Sequence, residues 1–239
     1  MTMHALPLEG KTAVVTGGAK GIGRAIAEAL HQRGARVAIT SRQVETAHQA
    51  VLEIGTDVLG CACDVRDPQS ITRLMETFRE RHDGLDILVN NAGIAGPSAP
   101  VDSLSIDEWN DIIATNLTGS FLVTRAALPL LRPGGMVVFT LSIAARTAFA
   151  GMSAYVASKH GLLGFANTLR EELRPRQIRV VSLLPGATDT EIWQQFWPDA
   201  PRQKMISPET VAEAALAAIL MPEEAAINEI VIEPTTGEL

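Results

Sequence analysis

The 239 residues suffice for one α/β domain with a substantial core, and 46% of them are hydrophobic, which excludes a disordered chain. A net charge of −7 argues against a broad phosphate-binding surface for nucleic acid. No apolar run approaches the ~18 residues of a membrane span, and residues 1–10 lack the basic start and apolar core of a signal peptide, so a cytoplasmic protein without a membrane partner is expected.

Residues 12–16 are β-branched and apolar, as a buried parallel strand is, and a glycine-dense turn from Gly17 to Gly23 follows. From Arg24 onward Ala25, Ile26, Ala29 and Leu30 predict an amphipathic helix to about Gln32, with Gly34 suited to its stop. A strand, a glycine turn and a helix in that order set free backbone N–H groups and a positive helix end beside the strand tip. Such a place attracts a pyrophosphate. A βα turn with incidental glycines stays open on this motif alone.

The alternation continues along the chain. Strands are expected over 36–40, 58–63, 86–90, 135–141 and 178–184, and helices over 44–54, 67–82, 107–130 and 153–173. Residues 185–206 read as an irregular, substrate-side lid with a short helix over 191–196. Ser207-Pro208-Glu209 then opens a helix to about Leu220, and 229–232 give a short last strand. Repeated βα units with right-handed crossovers predict one doubly wound α/β domain over 1–239, Rossmann-type, strand order 3-2-1-4-5-6 plus the seventh strand. Its ligand belongs at the C-terminal strand ends. Cys61 and Cys63 share a strand face without further ligands and are read as structural; no metal is expected. His31, His48 and His82 fall on helix surfaces or ends and carry no signal.

The sharpest chemical signal is Ser153-Ala-Tyr155-Val-Ala-Ser-Lys159-His160. On a helix Tyr155 and Lys159 are i and i+4, so phenol and ammonium share a face. A cation about 4 Å from a phenolate contributes roughly 4 kcal/mol at an effective dielectric of 20, so Lys159 is expected to lower the phenol pKa. Tyr155 is the chain's one tyrosine, and Ser142, at the end of the fifth strand, is placed to donate to the same substrate oxygen.

Thr16-Gly17-x-x-x-Gly21-Ile22-Gly23, Asn90-Asn91-Ala92-Gly93, Ser142, Tyr155-x-x-x-Lys159 and Pro185-Gly186 appear in the order and spacing of the short-chain dehydrogenase/reductases. The sequence resembles the ordinary-length, single-domain branch of that family over almost the entire chain. Its ending, residues 228–239, departs from the Gly-Gly close common in the branch and is similar to reductases of hydroxy acids and small carbonyls. The resemblance implies roles. Gly17, Gly21 and Gly23 would shape the pyrophosphate turn and Ile22 would supply a backbone donor. Asp64 would accept from the adenine amino group, with Val65 lining the ring, while Asn90 to Gly93, including Asn91 and Ala92, would hold the adenosine side. Asn116 would interrupt a long helix and anchor a water leading to Lys159; an ordinary helix-interior asparagine is the alternative. Ser142 would polarise the carbonyl, Tyr155 would be acid or base, and Lys159 would also hold the nicotinamide ribose. Pro185, Gly186, Thr188 and Thr190 would fix the nicotinamide face.

Cofactor choice can be read after the second strand. A free 2′-hydroxyl is matched by a carboxylate there, a 2′-phosphate by cations. Ser41 stands at that place and Arg42 follows, with Lys20 in the glycine turn, so NADP(H) is expected over NAD(H), which stays possible. Ile94, Ala144, Arg146, Phe149, Met152, Trp193, Phe196 and Trp197 are expected to rim a pocket for a small or medium carbonyl compound with an apolar portion. The i, i+3, i+4 spacing of the last three suits an apolar lid or, equally, a subunit contact. Arg146 could pair with a carboxylate substrate. The resemblance also implies a homodimer or homotetramer through the helices over 107–130 and 153–173. An NAD-dependent sugar or secondary-alcohol dehydrogenase is the alternative, and, from another class, a non-catalytic nucleotide sensor on the same fold.

Overall fold

The structure, a computed structural model, describes residues 6–237, so the N-terminal reading for residues 1–5 and the last two residues of the unusual ending lie outside the described residues. Seven parallel strands form one sheet in the order 3-2-1-4-5-6-7. They are β1 (Thr12–Val15), β2 (Arg36–Ser41), β3 (Leu59–Ala62), β4 (Leu85–Asn90), β5 (Leu131–Thr140), β6 (Arg179–Pro185) and β7 (Glu229–Ile232). The predicted doubly wound fold is the observed one. Chain order reverses between β1 and β4, which pair directly through Ala13–Ile87, Val14–Leu88 and Val15–Val89. A crevice therefore opens at the carboxyl ends of those two strands.

Strand alternation divides the core into two layers. Val14, Leu88 and Val137 meet α3 (Pro68–Arg79), α5 (Gly119–Ala127) and α6 (Ser153–Leu173) on one face of the sheet. Ala13, Val15, Val89 and Val138 meet α1 (Gly21–Gln32), the inner edge of α2 (Val44–Ile54) and α7 (Pro208–Ile219) on the other. The helix starts follow their caps. Asp67 accepts from Gln69 N and Ser70 N at the head of α3, and Ser207 accepts from Thr210 N at the head of α7, each with proline next in sequence. Among the described residues no helix is long and apolar enough to cross a membrane.

Several boundaries differ from expectation, and three of the differences bear on the sheet and the site. Helix α1 begins at Gly21 rather than Arg24: Gly21 turns the chain with a positive φ, and the helix runs on from it through Ile22 and Gly23, so the glycines that weaken the sequence signal belong to its first turn. The single helix expected over 107–130 is instead α4 (Ile106–Ile113), a π-turn (Ala114–Thr118) and α5. Residues 131–134 join β5 ahead of its expected start at 135; the strand's register shifts between its pairing with Leu85 and with Ile87. At the amino ends of the strands, away from the crevice, Asp86 ties β1 to β4. Its carboxylate accepts from Thr12 N at 2.9 Å, from the Thr12 hydroxyl at 3.0 Å and from Arg132 at 2.9 Å. Burial pushes this carboxyl up, and the Thr12 donors and Lys11 outweigh it, leaving the pKa below the ordinary carboxylate value.

Candidate active site

The site begins where β1 and β4 part. The Thr16 hydroxyl accepts from Asn91 N at 3.0 Å and Ala92 N at 3.1 Å, while Asn91 Nδ2 donates back to the carbonyls of Thr16 and Gly17. The two strand ends are thereby held open at a fixed width. Gly17 has φ +62°, and a Cβ there would sit 3.0 Å from Ala92 Cα. Gly23 lies off the cavity, packed so closely that a Cβ would meet Asn91 Nδ2 at 2.2 Å. Its part is to let α1 approach β4. The head of α1 has no side-chain cap and no acidic residue in its first turn, and Gly21 and Ile22 present it to the cavity. Unmatched backbone donors and the helix's positive end therefore face that space, which fits the pyrophosphate of a dinucleotide.

From there a cavity of about 860 Å³ runs along the strand ends. On one side it is walled by Ser41, Arg42, Asp64, Val65 and Arg66. The Arg66 guanidinium grips both Asp64 oxygens, at 3.0 and 2.7 Å, and holds this carboxyl below its ordinary pKa. Arg66 also reaches Asp111 at 3.0 Å. Arg42 is exposed on the wall and makes no ion pair among the described residues. Lys20 does not stand free beside it, as the sequence suggested: it bonds Glu191 at 2.7 Å.

At the centre Ser142, Tyr155 and Lys159 meet. The Ser142 hydroxyl caps a short turn, accepting from Ala144 N at 3.1 Å, and lies beside the Tyr155 phenol, where it favours the phenolate. Lys159 is 6% exposed; its ammonium donates to Thr140 O at 3.0 Å and lies 5.5 Å from the Tyr155 ring centroid. Two of its three donors remain free for a ligand. The expected lowering of the phenol pKa by Lys159 is corrected here. Burial dominates both groups, pushing the phenol up despite the opposing effect of Ser142 and the ammonium down to about 8. Each charged form loses water, and a neutral phenol gives the ammonium no counter-charge.

Asn116, Asn90 and Arg146 do not line the cavity. Asn116, in the π-turn, accepts from Ile94 N at 2.9 Å, and its amide donates to Ile94 O at 2.8 Å and Ser158 Oγ at 3.0 Å. Ser158 in turn donates to Tyr155 O at 2.7 Å. Asn116 thus joins the loop after β4 to the helix that carries Tyr155. Asn90 donates to the Thr124 hydroxyl behind the sheet. Arg146 is drawn outward into an ion pair with Glu229 on β7, which removes it as a carboxylate partner.

Beyond Tyr155 the wall is Pro185, Gly186, Thr188 and Thr190, then a single 3₁₀ turn (Glu191–Gln195). Trp193, Phe196 and Trp197 line the cavity, with ring centroids 4.9 and 6.0 Å from Trp193. Trp193 Nε1 donates to Thr188 O at 2.8 Å, which fixes the indole. Ile94, Gly93, Ala144, Phe149 and Met152 also reach this space. Ser158, Thr140, Arg66 and Gln195 were not singled out in the sequence. Ser158 stands inside the Tyr155–Lys159 motif, yet a lone serine within a helix gives no signal. Cys61 and Cys63 are buried, and burial pushes both thiols up, Cys63 to about 11, which keeps them un-ionised.

A doubly wound sheet with an open helix end, a phenol, a hydroxyl and a buried ammonium gathered at its switch crevice defines the class: a dinucleotide-binding α/β protein. Residues 11–201 match the family model described as short chain dehydrogenase. The chain is 37% identical to D-threitol dehydrogenase of Mycolicibacterium smegmatis, over 92% of this chain and 88% of that one. Among solved structures, a 3-ketoacyl-(acyl-carrier-protein) reductase from Brucella melitensis complexed with NADH superposes with a TM-score of 0.88 at 28% identity, covering 95% and 98% of the two chains. A short chain dehydrogenase from Burkholderia cenocepacia in complex with NADP gives 0.86 at 35%, covering 95% and 98%. The chain belongs to the short-chain dehydrogenase/reductase family and is an NAD(P)-dependent oxidoreductase.

Proposed function

We propose that this enzyme is an NADP(H)-dependent reductase of small or medium carbonyl compounds with an apolar portion, interconverting them with their alcohols. The convergence of Tyr155, Ser142 and Lys159 on a cavity that also carries Trp193, Phe196 and Trp197 is the observation behind this reading. A bound nicotinamide supplies the hydride that reaches the carbonyl carbon. In reduction the Tyr155 hydroxyl passes its proton to the carbonyl oxygen, and in oxidation the phenolate takes it back. Ser142 donates to the same oxygen, and the free Lys159 donors hold the nicotinamide ribose. Gly17, Gly21 and Ile22 hold the pyrophosphate, Asp64, Val65, Asn91, Ala92 and Gly93 the adenosine side, and Pro185, Gly186, Thr188 and Thr190 the nicotinamide. The segment 185–206 is the lid over the substrate. Its aromatic rings favour an apolar flank over a polyol, and activity on D-threitol exceeding that on aryl ketones would overturn the substrate reading.

The cofactor preference rests on Arg42. Structural neighbours are bound to NADH and to NADP, so the choice turns on this chain's own residues. Ser41 leaves no carboxylate to repel a 2′-phosphate, and the Arg42 guanidinium is free to receive it. Lys20 is engaged by Glu191, so Arg42 carries most of the effect. A charge-assisted contact of about 1.5–3 kcal/mol gives at least tenfold discrimination. Wild type is expected to show at least tenfold higher kcat/KM with NADPH than NADH, and Arg42→Ala to erase most of that difference. Equal values in wild type, or a preference that survives the substitution, would refute it.

A homodimer or homotetramer is proposed to assemble through α5 and α6. Phe121 on α5 is 41% exposed, and its ring stands edge-on to Phe165 of α6 at 5.9 Å, an apolar surface suited to a second copy. Light scattering at micromolar concentration should give two or four chains. A monomer would exclude this assembly.

A further inference from the structure

Two consecutive backbone N–H groups, those of Ala95 and Gly96, donate to the same atom, Oε1 of Gln195, at 3.0 and 3.1 Å. Only an oxygen accepts from two amides, so the partners themselves establish which end of the carboxamide is which. The Gln195 amide nitrogen is turned away from those two donors. Its N–H groups bond to no group among the described residues, and Gln195 lies on the cavity wall.

The anchor is stiff on both sides. Ile94, next to Ala95, is held at N–H and C=O by Asn116, which reaches the Tyr155 helix through Ser158. Gly96 has φ +74°, so a side chain there would be strained whatever space Ile112 yields. On the lid, the Trp193 bond to Thr188 O fixes the turn that ends in Gln195. A continuous run of hydrogen bonds therefore sets Gln195 relative to Tyr155. Charge narrows the ligand further. Arg146 is spent on Glu229 and Lys20 on Glu191, while Glu233 on the wall makes no ion pair among the described residues and disfavours an anion.

Resting on the carbonyl-reductase reading above, we infer that Gln195 is a specificity-determining residue whose carboxamide N–H donates to a second, uncharged oxygen of the substrate. The site thereby selects carbonyl compounds carrying another neutral carbonyl, ester or hydroxyl oxygen over simple ketones of the same shape.

The test is a ratio of kcat/KM within matched pairs: 1-phenyl-1,2-propanedione against propiophenone, and ethyl benzoylacetate against hexanophenone. Gln195→Glu keeps an oxygen for Ala95 and Gly96 but replaces the donor with an acceptor. Gln195→Met removes both. For at least one pair the ratio should fall about tenfold or more in Gln195→Glu, and in the same direction in Gln195→Met. A purely structural role would spare Gln195→Glu and would lower both members of a pair together. Ratios within twofold of wild type for both pairs in Gln195→Glu would overturn the role of Gln195 alone. Absence of turnover of all four ketones by wild type would overturn the carbonyl-reductase reading, and this inference with it.

Discussion

Tyr155→Phe is expected to fold, to bind NADP(H) with little change, and to lose a hundredfold or more of carbonyl reduction. The substitution removes one oxygen and leaves the ring in place. Lys159 keeps its bond to Thr140 O, and Asn116 keeps its bonds to Ile94 and Ser158, because none of these contacts uses the phenol hydroxyl. What disappears is the proton source. General acid catalysis by a positioned side chain contributes about 10²–10⁴-fold, and among the described residues no other tyrosine can substitute. Burial holds the Tyr155 pKa above its ordinary value, so before ligand binds the phenol is protonated throughout the neutral range, the form that reduction requires. Steady-state turnover and a fluorescence titration of the cofactor, run on the same sample, separate chemistry from binding. Retention of more than a tenth of wild-type turnover would remove Tyr155 from the reaction.

Much of this was legible in the sequence because the signals are local. The alternation of apolar strands with amphipathic helices sets the fold class, and glycines at 17 and 21 mark backbone that adopts positive φ. Tyr155 and Lys159 lie one helical turn apart, so their meeting needs no knowledge of tertiary structure. The failures are of the opposite kind. Lys20 and Glu191 are 171 residues apart, and Arg146 and Glu229 are 83 apart. Nothing in the local pattern says that each cation is taken by a distant carboxylate. The apolar pattern over 107–130 reads as one helix, and only the family resemblance, through Asn116, implies the interruption that the π-turn at Ala114–Thr118 makes, because one added residue leaves little trace in the local pattern. The phenol's pKa was misjudged for a related reason. An argument from a pair of charges omits the removal of water, which only the packed structure reveals.

Lys159→Met is expected to show both uses of the lysine. Cofactor affinity should fall about tenfold or more, since the two free ammonium donors that face the cavity are lost, and turnover should fall further because the tyrosinate formed in reduction loses its adjacent cation. A pure rate effect with unchanged affinity would argue against the ribose role. The same ammonium supplies a pH signature. Its folded-state pKa, about 8, lies below the ordinary 10.5, so the unliganded enzyme holds a charged lysine below pH 8 and a neutral one above. Wild-type cofactor affinity should weaken as the pH rises through about 8, and Lys159→Met should lack that step. Stability runs the other way. Between about 8 and 10.5 the unfolded chain binds the proton that the folded one has released, so this group's contribution to stability rises with pH across that window. Below it, the full cost of burying a charge is present, and methionine removes it. Lys159→Met should therefore melt at a higher temperature than wild type at pH 7, with the difference shrinking towards pH 10. A destabilised variant at pH 7 would mean that the Thr140 bond outweighs desolvation and that Lys159 is kept for the fold. A stabilised but poorly active one identifies a strained group kept for its chemistry.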